Sequence, residues 1–178
     1  MCATRLAKEL SEGGFKVCVI DWKYEWRRLL SDVKGRKAIY ALYHSDELPM
    51  LKWNPLRPPR GMPWREWMRI VLEWFVLTYG LGARSLSVLR RHMFQLYKEK
   101  QHLGTYPTLK DLYKSLSDER DRLAKDERIS YDRLDVYDKI LDRLWPYAVG
   151  DLADLFSSDD GVDVTDIVLE NDFTDFEA

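Results

Sequence analysis

Short hydrophobic blocks alternate with charged segments along this chain, and the spacing within the blocks changes along its length. Residues 3–10 have helical periodicity, and Gly13 and Gly14 follow at the position where glycine commonly ends a helix. A continuous apolar run, residues 15–20, precedes Asp21 and predicts a buried parallel strand. Residues 37–43 alternate enough to predict a second strand. Helix, glycine and buried strand in this order form the second half of a βαβ unit.

The middle of the chain changes to a helical repeat. Residues 52–63 contain four prolines and predict an ordered, extended loop. Four helices are then predicted, namely Trp64 to Tyr79, one capped by Ser85, one capped by Thr108 with Asp111 in a capping-box spacing, and one from Ser130 to Pro146. The charged residues 118–128 predict a further exposed helix. Residues 164–168 predict a short helix or strand, and residues 171–176 predict a strand.

These elements predict an α/β fold with a helical insertion of about 100 residues between strands of the core. We expect one incomplete domain in three segments. Residues 1–50 supply the core helix and strands, residues 51–150 the Pro-rich loop and the helical insertion, and residues 151–178 an acidic loop and the return to a core strand.

The charge is distributed unevenly although the net charge is only −2. Residues 1–110 carry 20 Lys and Arg against 10 Asp and Glu, whereas the last 28 residues carry ten acids and no base. A basic region suits phosphate groups or nucleic acid, although charged residues also form ordinary solvated surfaces. The candidates for phosphate contact are five basic residues expected to cluster near Asp21, namely Arg27, Arg28, Lys34, Arg36 and Lys37.

Cysteine and histidine give no indication of a metal site. Cys2 and Cys18 form no CxxC motif, and the three histidines have no metal-ligand spacing with them. Reduced thiols predict a cytoplasmic protein. We expect no signal peptide, because residues 1–10 have an amphipathic and not a continuously apolar pattern. No membrane span is expected either, because the most apolar predicted helix is short and carries four charges.

Four segments, in order, resemble the HerA/FtsK-like P-loop ATPases, which include archaeal HerA DNA translocases and conjugative-transfer ATPases. The first is LAKELSEGGFKVCVIDWKYEWRRLL, similar to the family's segment after the phosphate loop. The second is Asn54-Pro55-Leu56, which resembles the family's NPL element. The third is YPTLKDL from Tyr106, and the fourth runs from ILDRL at Ile140 through Phe156 to the DGVDV stretch from Asp160 to Val164. The likeness covers nearly all of the chain.

The resemblance implies a P-loop NTPase core of the RecA/ASCE type that binds ATP and Mg²⁺, assembles as a hexameric ring and moves duplex DNA or a conjugative substrate. Asp21, at the carboxyl end of its strand, would face the γ-phosphate and position water or metal, and Glu25 would assist. Asp21 also has a structural alternative, in which it caps the loop after its strand. Glu25 has one as well, as a solvated loop residue.

The sequence departs from the family where ATP is bound. It contains no GK[ST], so the loop that cradles phosphates is missing. We expect that loop to lie before Met1 and the Walker B strand to lie after Ala178. The chain is therefore expected to be a fragment of an ATP-driven DNA translocase, helicase or conjugative-transfer ATPase that neither holds a cofactor nor hydrolyses ATP alone.

Two alternatives stay open, a non-catalytic regulatory module that packs on an intact ATPase subunit and an unrelated small α/β binding domain. If core strands are missing, both sides of the strand at residues 15–20 would lack neighbours, and the isolated chain would be poorly soluble or oligomeric.

Overall fold

A computed structural model describes residues 2–126, 128–158 and 161–177, so Met1, Glu127, Asp159, Asp160 and Ala178 lie outside the described residues. In chain order the helices and strands are α1 (Cys2–Glu12), β1 (Val17–Asp21), a 3₁₀ helix (Trp26–Ser31), β2 (Lys37–Ala41), α2 (Trp64–Tyr79), α3 (Ala83–Gln101), α4 (Leu109–Ala124), α5 (Tyr131–Ala148), α6 (Ala153–Phe156), α7 (Val164–Glu170) and β3 (Phe173–Glu177). The mixed α/β fold predicted from the sequence is confirmed.

The chain divides into two compact units. The sheet unit combines the residues up to Trp53 with those from Gly161 onward, and the helical unit comprises residues 54–160. The helical unit is thus inserted in sequence between β2 and β3.

The sheet has three parallel strands in the order β1-β3-β2. Asp21 of β1 and Ala41 of β2 both lie opposite Glu177 of β3, so all three strands end in the same row. The expectation that β1 lacks neighbours on both sides is wrong, because β3 returns to pair along one of its sides. All five residues of β3 are buried, as expected of a middle strand.

One face of this sheet carries the small apolar core of the unit. Ala7 of α1, Leu29 of the 3₁₀ helix, Val33 and Phe173 of β3 are buried together. Val17 and Val19 of β1 pack against them, whereas Cys18 and Ile20, which alternate with them, are exposed. Every second side chain of β1 and β3, beginning with Val17 and Phe173, therefore points toward α1 and the 3₁₀ helix.

The amino-terminal edge of the sheet is held by Asp172. Its carboxylate accepts a hydrogen bond from the backbone N–H of Arg36 at 2.9 Å and pairs with Lys16 at 2.7 Å. Gly35 has a φ of +94°, and a Cβ there would lie 2.2 Å from Asp172 Oδ2. Glycine is required at this position because both the backbone conformation and the close approach exclude a side chain.

The helical unit has its own core, built from the apolar faces of α2 to α5. Helix α2 has the bounds predicted from the sequence, whereas three other predictions need correction. Ser85 is buried inside α3 and does not cap it, since Gly82 precedes the helix. The charged residues 118–124 continue α4 and do not form a separate helix. Helix α5 passes through Pro146 and ends at Ala148, because tertiary packing outweighs the local preference.

Two family-like motifs meet inside this unit. The Asn54 side chain, 2 % exposed, donates to the carbonyl of Pro107 at 2.9 Å and accepts from the N–H of Leu56 at 3.0 Å. This bond to Pro107 ties the NPL loop to the start of α4. Thr108 and Asp111 form the predicted capping box at that helix start, which confirms the prediction. None of the helices in the described part of the chain is long and apolar enough to cross a membrane.

Candidate functional site

Three buried carboxylates meet at the carboxyl-terminal edge of the sheet. They belong to Asp21, which ends β1, and to Asp175 and Glu177 of β3. Parallel register puts Asp21 directly opposite Glu177, and the two-residue repeat of a strand puts Asp175 on the same face. One carboxylate oxygen from each residue lies within 4.8 Å of the others. We call these three residues the acidic cluster.

Asp21 binds the backbone of the loop that follows its strand. Oδ1 accepts the N–H of Lys23 at 2.9 Å, and Oδ2 accepts the N–H of Trp26 at 3.0 Å. These bonds hold the start of the 3₁₀ helix beside the sheet. The structure therefore shows the loop-capping contacts, and at the same time places Asp21 at the edge where open α/β sheets bind ligands.

Glu177 forms a two-point ion pair with Arg27 of the 3₁₀ helix. Arg27 Nε donates to Oε1 at 2.6 Å and Nη2 donates to Oε2 at 2.7 Å. The Glu177 side chain is fully buried, whereas that of Arg27 is 39 % exposed and also lies 3.6 Å from Glu47. Hydrogen bonding to Glu177 raises the pKa of Arg27 above its usual value. Arg27 thus neutralises one of the three carboxylates.

Asp175 has no such partner. Both of its carboxylate oxygens are buried and accept no hydrogen bond from the described residues, and the residue has no solvent-exposed surface. Burial and then the negative charges of Asp21 and Glu177 raise its pKa to about 6, against a smaller opposite effect of Arg27. Asp175 is the member of the cluster whose environment is least favourable to its own charge.

A basic pocket of about 740 Å³ lies between α1 and the loop that Asp21 holds. It is lined by Thr4, Arg5, Lys8, Lys23, Tyr24, Glu25, Arg28, Leu29 and Asp32. Glu25 is exposed on this wall and is not part of the acidic cluster. Tyr24 has a φ of +57°, an unusual conformation for a bulky residue. The two acids predicted as catalytic therefore occupy different environments.

The five basic residues expected to form one cluster lie on two elements. Arg27 and Arg28 lie on the 3₁₀ helix, and Arg27 is engaged by Glu177. Lys34 and Arg36 precede β2 and Lys37 begins it, so the backbone of Lys37 lies about 13 Å along the strand from the row of Asp21 and Glu177. The Lys37 ammonium nevertheless donates to the carbonyl of Leu30 on the 3₁₀ helix.

The sequence prediction missed Asp175 and Glu177. The alternation in Phe173-Thr174-Asp175-Phe176-Glu177 was a usable signal, because it puts both acids on one face of the predicted strand. The pairing of β3 with β1, some 150 residues earlier, had no local signal. Oxygen donors of this kind suit Mg²⁺, whereas the sequence offers no phosphate cradle to accompany them.

Comparison with known proteins gives a likeness in fold. No family model matches this sequence, and a search of curated proteins finds no match. Among solved structures, the chain is similar to VirB4 of Thermoanaerobacter pseudethanolicus, with a TM-score of 0.67 and 19% sequence identity. The likeness covers 99% of this chain and 46% of that one. At this identity the likeness establishes a shared fold. This chain spans about half the length of VirB4 and has the fold of that part.

Proposed function

We propose that this chain is part of the ATPase core of a conjugative-transfer motor. The observation that carries the proposal is the fold likeness to VirB4 over 99% of the chain. The contact between the NPL loop and the YPTL helix start supports it independently, because it joins two of the motifs on which the resemblance rests.

In this proposal Asp21 acts at the nucleotide-facing edge of the sheet. Its two backbone hydrogen bonds fix the carboxylate at the carboxyl end of β1, which suits the positioning of water or of a metal-bound phosphate. Glu25, on the wall of the basic pocket, would assist from the loop. ATP and Mg²⁺ would be bound in the complete protein by a phosphate loop that this sequence does not contain.

The chain alone would therefore not hydrolyse ATP. Assembly into a hexameric ring and contact with duplex DNA belong to the same proposal. Arg28, which lines the basic pocket, and Lys34, Arg36 and Lys37 at the opposite edge are the candidates for phosphate contact. Arg27 contributes through Glu177 instead.

Phosphate release by the purified chain with ATP, Mg²⁺ and duplex DNA tests the first part of this proposal. The expected rate is that of the buffer control. The coding sequence on both sides tests the second part, and we expect an in-frame GxxxxGK[ST] upstream and an apolar strand ending in Asp-Glu downstream. Hydrolysis by the chain alone that Asp21→Asn abolishes, or stop codons with unrelated genes on both sides, would contradict the proposal.

A second function is favoured by an exposed apolar surface on the sheet unit. Phe15, Ile20 and Trp22 are 63%, 60% and 74% exposed along β1 and its flanks. β1 pairs on one side with β3, and the described residues supply no strand for its other side. Such a surface also suits a regulatory module that packs on an intact ATPase subunit. Gel filtration of the chain mixed with an intact ATPase subunit, without ATP, distinguishes the two functions. A regulatory module forms a stable complex with a subunit whose own sheet is complete, whereas a piece of the same core does not.

A further inference from the structure

We propose that the acidic cluster binds one hard divalent cation through Asp21, Asp175 and Glu177. The inference begins from Asp175, whose two oxygens are fully buried and accept no hydrogen bond within the part of the chain that the structure describes. Buried charges in proteins are normally paired or bound to metal, because removing a carboxylate from water is costly. The groups nearest to Asp175 in the cluster are two further carboxylates, and neither can donate a hydrogen bond when ionised.

The cluster has unused capacity to bind a cation. Each carboxylate oxygen has two lone pairs. Asp21 uses one on each oxygen for the N–H groups of Lys23 and Trp26, and Glu177 uses one on each for Arg27. One lone pair therefore remains on each of these four oxygens, and all those of Asp175 are free.

The charge balance favours a divalent cation. Three carboxylates face one another, and among the described residues Arg27 forms an ion pair with one of them, Glu177. Two negative charges then remain without an ion-pair partner from this part of the chain when all three groups are ionised. A divalent ion would balance them while Arg27, whose side chain is part exposed, stays bound to Glu177.

The donor set and its spacing select the class of ion. Carboxylate oxygens without nitrogen or sulfur donors suit Mg²⁺, Ca²⁺ and Mn²⁺ and do not suit softer metals. The three oxygens lie within 4.8 Å of one another. Ligands on opposite sides of Ca²⁺ are about 5 Å apart, so one ion of that size reaches all three oxygens. Those of Mg²⁺ are about 4 Å apart, so Mg²⁺ would require the oxygens to move closer together.

Isothermal titration of the whole purified chain with MnCl₂, MgCl₂ or CaCl₂, in buffer free of nucleotide, tests the proposal. We expect one saturable site for at least one of these ions. Asp175→Asn should weaken its affinity roughly tenfold or more, because affinity for such ions depends on the number of charged ligands. Asp46→Asn is the matched control, since Asp46 is an exposed acid of the same unit, and it should leave the site unchanged.

A second variant acts in the opposite direction. Arg27→Gln removes a positive charge beside the site and should tighten ion binding several-fold, so the proposal is decided even if Asp175→Asn does not fold. Absence of a saturable site in the wild-type chain would overturn the proposal. Equal binding by Asp175→Asn and Asp46→Asn, or weaker binding by Arg27→Gln, would do so as well. The titration contains no ATP, so its failure leaves the proposed ATPase role to its own test.

Discussion

The two units of this chain differ in whether their buried polar groups have hydrogen-bond partners. In the helical unit Asn54, Thr108 and Tyr97 are buried and each has a hydrogen-bond partner within the unit. Among the described residues of the helical unit, His92 has a buried side-chain atom without a hydrogen-bond partner, Nε2. In the sheet unit Thr174 and Asp175, neighbours on the middle strand, both have such atoms.

This difference separates a structural region from a candidate functional one. Asn54, Thr108 and Tyr97 of the helical unit bond to residues of that unit, which is typical of a region whose role is to hold a shape. The sheet unit keeps three carboxylates together in a buried place, at a cost to its own stability. Unfavourable electrostatics of this kind are concentrated at sites that bind ions or react.

The largest expected effect comes from breaking the ion pair of the sheet unit. Arg27→Gln leaves the buried Glu177 beside Asp21 and Asp175 without its cation. We expect the free energy of unfolding to fall by about 3 kcal/mol in metal-free buffer, near the lower end for a buried pair because Arg27 is part exposed. Urea denaturation followed by tryptophan fluorescence measures it. A loss no larger than that of Arg28→Gln, a neighbouring cation without this pair, would contradict the account.

A slightly smaller loss is expected in the helical unit. Asn54→Ala removes two buried hydrogen bonds and leaves the carbonyl of Pro107 and the N–H of Leu56 without that partner. We expect a cost of about 2 kcal/mol. Asn171→Ala, which removes one partly buried bond in the sheet unit, should cost about 1 kcal/mol or less and serves as the control. Equal losses for the two variants would show that the Asn54 contacts are not structural.

Asp175→Asn should change stability in the opposite direction. The substitution keeps the shape of the side chain and removes a buried charge that faces two others. With chelator present at pH 8, we expect the variant to be more stable than the wild type by roughly 2 kcal/mol, because a pKa raised from 3.8 to about 6 corresponds to about 3 kcal/mol and the unpaired buried amide costs about 1 kcal/mol. Thermal denaturation with and without EDTA measures it. A less stable variant under chelation would mean that Asp175 has a favourable partner of its own.

The smallest effect is a pH dependence in the helical unit. Burial, and then the charge of Arg91, lower the pKa of His92, while Glu119 acts in the opposite sense. Ser115 and Tyr137 are its uncharged neighbours. Because the unfolded chain binds the proton more readily, stability should fall as pH drops below about 6.5 and level off below the folded-state pKa. Between pH 7.5 and pH 5 the melting temperature should change less for His92→Gln than for the wild type. The same pH dependence in both proteins would contradict this.

The sequence predicted those features that depend on local chemistry. The apolar run before Asp21 identified a strand end, and the spacing of Thr108 and Asp111 identified a helix start, because each pattern contains its own physical cause. The bounds of α2 followed from its periodicity for the same reason.

Features that depend on distant pairing could not be predicted in this way. The acidic cluster exists because β3 lies next to β1 in parallel register, and the pattern of either strand alone does not specify its neighbour. The placement of the five basic residues on two elements has a related reason. The chain crosses from the carboxyl edge at Asp21 to the amino edge at Lys37 between two parallel strands, so charges on that crossing are spread between the two edges.

The central proposal is that the carboxyl edge of this sheet works in ATP hydrolysis. It is tested most directly by the kcat of the protein encoded by the complete reading frame, measured as steady-state phosphate release with ATP and Mg²⁺. The account predicts hydrolysis that Asp21→Asn lowers about 100-fold, with KM changed only a few-fold, while Asp46→Asn leaves kcat unchanged. A complete protein without ATPase activity, or an Asp21→Asn variant with the wild-type kcat, would contradict it.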